Sequence, residues 1–153
     1  MILEGTYRFA ADPAVVFPLL LDPDVLKVTL PGVQDFARTD PNRYEGTMRV
    51  GVGAIAAAEF KVVVTLSEVE SPNRFVMHID GKGGFGFTRG RAQVDLAPDG
   101  EGCEMHYHAD MQVGGMIAGV GQRLLDSVSR QMARQSLDAV SREIERRLKE
   151  NAP

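Results

Sequence analysis

A chain of 153 residues with 44% hydrophobic and 25% charged side chains has the size and mixture of one globular domain with a real core, which excludes a fibrous or low-complexity protein. Its formal net charge of −4, from 17 basic and 21 acidic residues, excludes general nucleic-acid binding, which needs a basic surface. The single cysteine, Cys103, excludes an internal disulfide framework, and the longest weakly polar stretch, Val113 to Val120, falls far short of the roughly 20 apolar residues of a membrane span.

Ile2 to Ala10 alternates, with Leu3, Gly5, Tyr7 and Phe9 on one face, which predicts a half-buried strand. Asp12-Pro13 then supplies an N-cap and a first helical residue for a short helix carrying Val15, Val16, Leu19 and Leu20. A second short helix is expected from Asp22-Pro23 to just before the turn at Pro31-Gly32. Both are too short to form a core alone and suit a lid or support at one end of a sheet.

Six strands follow in the pattern, at Val33–Arg38, Tyr44–Val52, Ala57–Val69, Arg74–Gly81, Phe87–Leu96 and Cys103–Val113. Asp40-Pro41-Asn42, Ser71-Pro72-Asn73 and Pro98-Asp99-Gly100 are turn chemistry at regular spacing, so neighbouring strands should pair as antiparallel hairpins. After Gly114-Gly115 a helical pattern runs nearly to Lys149, about 33 residues and hence about 50 Å. Its apolar face carries Ile117, Val120, Leu124, Val128, Met132, Val140, Ile144 and Leu148, and Arg123, Ser127, Arg130, Arg134 and Asp138 lie opposite. A helix of that length must lie along something broad. The expected fold class is therefore α+β, a helix-grip layout in which a curved seven-stranded antiparallel sheet grips a long C-terminal helix, with two short helices after the first strand. One domain should span residues 1–150, with a disordered tail at 151–153.

The residues offer little catalytic chemistry. Gly81-Lys82-Gly83-Gly84-Phe85-Gly86 matches a dinucleotide-binding spacing, but that motif needs a helix N-terminus after its glycines, and here a strand follows, which predicts a bulged hairpin. His106 and His108 share a strand face beside Glu104 and Asp110 and could on paper bind a metal. The other parity, Cys103, Met105, Tyr107, Ala109, Met111 and Val113, is the more apolar and must face inward, so the histidines point to solvent and no metal site is expected. The same parity argument makes His78 an outward residue. No paired carboxylates fall on an inward face, which leaves no catalytic residue to assign.

Leu3-Glu4-Gly5, Asp12-Pro13, Asp22-Pro23, Leu30-Pro31-Gly32, Tyr44-Glu45-Gly46, Gly81-Lys82-Gly83 and Val113-Gly114-Gly115 leading to Gly121-Gln122-Arg123-Leu124 resemble, as an ordered set over nearly the whole chain, the carbon monoxide dehydrogenase CoxG family of the START/Bet v 1-like (SRPBCC) superfamily. Many relatives have Trp where this chain has Phe17, and some continue past the long helix into a tail that favours membrane contact. The resemblance implies a helix-grip fold with an apolar cavity, and an accessory role linking a molybdenum hydroxylase such as carbon monoxide dehydrogenase to the membrane. It also implies a lipophilic ligand, menaquinone or another quinone, and no covalent cofactor.

Inward parity and helix period then give the expected cavity walls: Phe9, Met48, Phe60, Val62 and Val64 from the early strands, Met77, Ile79, Tyr107 and Met111 from the later ones, and Val120, Leu124, Val128 and Met132 from the helix. Tyr7, Tyr44, Gln131 and Gln135 are the candidate polar contacts to a ligand. Lys82, Phe85, Phe87 and Arg89 form a candidate tip at the cavity mouth, and Arg123, Arg130 and Arg134 a candidate basic face, for a membrane or an acidic partner. The first hypothesis is a non-enzymatic carrier of a hydrophobic small molecule, a monomer or homodimer. Its expected location is the cytoplasm, with peripheral contact at the inner face of the cytoplasmic membrane. A small cyclase- or hydratase-like enzyme of the same superfamily and a ligand-free assembly factor are the alternatives.

Overall fold

The computed structural model describes residues 1–150; the tail expected at 151–153 lies outside them. Seven strands, β1 (Ile2–Phe9), β2 (Val33–Asp40), β3 (Arg43–Val52), β4 (Ile55–Glu70), β5 (Arg74–Gly83), β6 (Gly86–Asp99) and β7 (Gly102–Gly114), form one antiparallel curved sheet in the order β1-β7-β6-β5-β4-β3-β2. The six later strands are a plain meander, as short turns between adjacent strands dictate. β1 closes it by pairing with β7 from Ile2↔Asp110 to Phe9↔Cys103.

β1 and β2 are the two sheet edges, and the chain crosses between them through α1 (Pro13–Leu21) and α2 (Pro23–Thr29). Both helices start where the sequence predicts. The Asp12 carboxylate accepts from the Ala14 and Val15 amides and the Asp22 carboxylate from Asp24, each followed by Pro at the first helical position.

The last helix differs from the expected continuous run. Met116–Val120 is a 3₁₀ turn, and α3 begins only at Gln122 and continues to Glu150. Gly121 separates them with φ of 102°, a conformation closed to ordinary L residues, so the run of apolar residues from Ile117 to Leu124 bends instead of forming one cylinder.

The core divides in two. Towards the α1 end of the sheet, Phe9, Val16, Phe17, Phe75, Val94, Cys103, Leu137, Val140 and Ile144 pack together. Towards the end where α3 begins, Val52, Ala58, Phe60, Val62, Ile117 and Leu125 form a second, smaller cluster. Asp138, expected on the exposed face of the helix, is half-buried and faces β1, where its carboxylate accepts the Tyr7 hydroxyl proton at 2.7 Å.

Candidate ligand cavity

Between the two clusters lies a space of about 260 Å³. Its size sits just under the roughly 300–1,000 Å³ of common ligand pockets, room for a ring system or part of a chain. The sheet contributes Phe36, Met48, Val62, Val64, Leu66, Phe75, Met77, Ile79, Val94 and Met105, all from the inward parity of their strands. The helices close it, with Leu20 and Leu21 of α1, Leu26 of α2, Leu30 just after it, and Ser136, Leu137 and Val140 of α3.

Polar groups on this wall are few. Tyr44 is almost wholly buried, and its hydroxyl donates to the Leu21 carbonyl at 2.6 Å while accepting from the Arg38 guanidinium at 2.8 Å. Its ring stacks on Phe36 at 5.5 Å between centroids. That hydroxyl is tied into the fold and its proton is already given away. Ser136 is the other polar side chain on the wall, and its hydroxyl makes no hydrogen bond among the described residues.

Met48, Val62, Val64, Met77 and Ile79 are thus brought together on the wall, with Tyr44 beside them. Other expected wall residues stand elsewhere. Phe9 is fully buried in the larger cluster, 4.9 Å from the Tyr7 ring, because β1 is an edge strand beyond the span of the cavity. Phe60, Val120, Leu124 and Val128 belong to the smaller cluster, since the bend at Gly121 points the start of α3 at the β3–β4 end of the sheet.

Tyr107 leans across Gly5, where a Cβ would stand 2.8 Å from its hydroxyl oxygen, and so faces the β1 edge. Met111 lies further along β7, where its carbonyl and amide bond the backbone of Met1. Tyr7, a candidate ligand contact, is committed to Asp138; burial first, and then that carboxylate, push its hydroxyl above the ordinary tyrosine value.

Gln131, Gln135 and Met132 line a separate open groove with Pro31, Gly32, Arg49, Val50, Gly51 and Val128. This groove adjoins the cavity: Leu30, Met48 and Ser136 line the cavity, and their chain neighbours Pro31, Arg49 and Gln135 line the groove. The candidate surface residues also separate. Phe85 packs inward on the smaller cluster, whereas Phe87 lies on the outer sheet face over Gly114, with the Arg89 guanidinium 4.6 Å from its ring centroid. Neither flanks the cavity. Arg123, Arg130 and Arg134 are exposed along α3, as are Lys82 and Arg89 on the sheet.

Four wall leucines, Leu20, Leu21, Leu26 and Leu30, escaped the strand-parity argument because they come from helices expected only as a lid. Their spacing did carry a signal, since Leu26 and Leu30 lie one turn apart. Leu137, three and seven residues before Val140 and Ile144, carried the same signal in α3.

The metal and redox candidates can be placed too. His106 and His108 are exposed on the outer face and lie 2.6 Å and 3.6 Å from Glu104 and Glu4. Among the described residues no group of three potential metal ligands comes together. Cys103 is fully buried, and burial, with Asp12 adding to it, raises its thiol above the ordinary value, which makes it a packing residue. Gly81 to Gly86 closes a tight hairpin, Gly83 pairing with Gly86, with no bulge and no helix after the glycines.

The family model for the G-type subunit of carbon monoxide dehydrogenase (CoxG) matches residues 5–145. No curated protein matches the sequence. Among solved structures, a conserved protein from Geobacillus kaustophilus superposes with a TM-score of 0.90 at 22% identity, over 95% of this chain and 96% of that one. A START superfamily protein from Mycobacterium smegmatis gives a TM-score of 0.73 at 12% identity, over 95% and 97% of the two chains. The Zhui aromatase/cyclase from Streptomyces sp. R1128 gives 0.70 at 16% identity, over 97% and 95%. At these identities the structures establish a shared fold, the START-type helix grip.

Proposed function

The chain belongs to the carbon monoxide dehydrogenase CoxG family, and from that premise we propose that it is a non-enzymatic accessory protein that binds a quinone or a lipid in its central cavity and links a molybdenum hydroxylase of the carbon monoxide dehydrogenase kind to the membrane or respiratory chain. The observation that carries the ligand-binding part is the apolar cavity held open between two packed clusters. A void of that size forfeits dispersion contacts and costs stability, so a protein that keeps one gains most when an apolar guest fills it.

A quinone ring suits the wall. Apolar side chains take the ring, and Ser136 offers a hydroxyl to a ring carbonyl, while Tyr44 is already engaged. Because the cavity is small, an isoprenoid tail such as that of menaquinone would leave through the adjoining groove beside Met132, past Gln131 and Gln135. A cyclase- or hydratase-like reaction would need an acid or base at the wall. The lining supplies no carboxylate, imidazole or thiol, and this favours binding over catalysis.

Thermal unfolding with added menadione, and with menaquinone in detergent, tests the reading. Binding should raise the Tm by several degrees and show a 1:1 complex in native mass spectrometry, and Ser136→Ala should weaken it by up to about tenfold. An unchanged Tm, with no lipophilic molecule co-purifying, would leave a ligand-free assembly factor in its place.

A further inference from the structure

We propose that the end of the molecule where α3 begins is a docking surface for an anionic lipid bilayer, with Met116 as its inserting residue. Three loops distant in sequence meet there. The β3–β4 turn touches the start of α3, since a Cβ on Gly53 would stand 2.9 Å from Leu124 and 3.9 Å from Val120. The β5–β6 turn is tied to the 3₁₀ turn by the Ile117 amide, which donates to the Phe85 carbonyl at 2.7 Å.

All three loops lack charge. Gly51 to Ala58, Gly83 to Thr88 and Val113 to Gln122 contain no Asp, Glu, Lys or Arg. Such a surface costs little to move from water into the headgroup region, where a single charged side chain would oppose entry. Met116 stands out on it, 66% exposed, beside the exposed Ala54, Gly84 and Gly119.

Basic residues flank the uncharged tip. Lys61 pairs with Lys82 across β4 and β5, Arg89 follows Phe87 on β6, and Arg123 lies in the first turn of α3. All four are exposed, and among the described residues none sits in an ion pair, although Asp80 lies opposite Arg89 in the register.

The other end of the sheet has the opposite character. Its turns carry Asp40, Glu70, Asp99 and Glu101. In a chain of net charge −4, this asymmetry repels the acidic end from an anionic surface and presents the uncharged tip to it. Beneath the tip lies the smaller cluster, and Val62 belongs both to it and to the cavity wall. A docked bilayer would therefore be one packed layer from the cavity.

This inference rests on the membrane-linking part of the proposed function and not on the identity of the ligand. Its test is flotation of the purified, unliganded protein with vesicles of phosphatidylcholine alone or mixed with phosphatidylglycerol. Binding should appear with the anionic vesicles and fall as salt is raised. Met116→Asp should weaken it about tenfold or more, and Lys82→Gln by about fivefold. Val69→Asp, at an exposed apolar site on the opposite end of the sheet, should leave it unchanged. Circular dichroism of each variant separates misfolding from lost docking. No binding to anionic vesicles, or binding that Met116→Asp leaves intact, overturns the proposal. A positive thermal shift with menadione alongside either result would leave the ligand-binding reading standing.

Discussion

Tyr7 joins β1 to α3 across 131 positions of sequence, through the hydrogen bond from its hydroxyl to Asp138. Because the carboxylate is half-buried, Tyr7→Phe leaves it without that donor, and a loss of about 1–2 kcal/mol is expected in urea unfolding at neutral pH. The sign of the pH effect follows from the raised hydroxyl pKa. The contribution is fully present below the ordinary tyrosine value of 10.0 and is lost as pH rises through the higher folded value. Wild type should therefore lose more stability than Tyr7→Phe between pH 9 and about 11. Strand parity foretold that Tyr7 faces inward, but not that a residue on the apparent polar side of a distant helix would meet it. The outward histidines were legible because period two alone decides a strand face.

α3 and the 3₁₀ turn before it show where element-level reading stops. Hydrophobic spacing places Ile117, Val120 and Leu124 on one helical face, yet Gly121, at φ 102°, ends one element and starts the next. Glycine permits this conformation without demanding it, so the sequence indicated flexibility there but not a bend. A Cβ at Gly121 would meet nothing within 4 Å, so Gly121→Ala carries a purely backbone penalty of about 1–2 kcal/mol. Gly119→Ala has the same open surroundings without the positive φ and should stay within about 0.5 kcal/mol of wild type. Chemical denaturation of the pair checks both. The short helices were read correctly as elements, because Asp-Pro starts are local chemistry. Their role was not, because Leu20 and Leu26 become cavity wall only once the sheet curves beneath them.

Across the whole molecule, two clusters with a cavity between them set stability against binding. Val64 points into that space, and a larger side chain there fills volume that no protein atom uses. Val64→Phe should raise the stability of the unliganded protein by about 1 kcal/mol and abolish the thermal shift produced by menadione. Urea unfolding and ligand titration of the same variant read the two effects; a variant that is stabilised and still binds would place the ligand elsewhere. Alternation along the strands, turn residues between them and the amphipathic last third of the chain determined the antiparallel sheet, its strand order and the helix against it, since these follow from periods of two and 3.6 residues that are local properties. Ordered motifs along the chain determined the family. Only the tertiary structure decided which inward residues border empty space and which fill it. That choice depends on sheet curvature, on the bend at Gly121 and on side chains meeting across more than a hundred residues, and no local period records such distances.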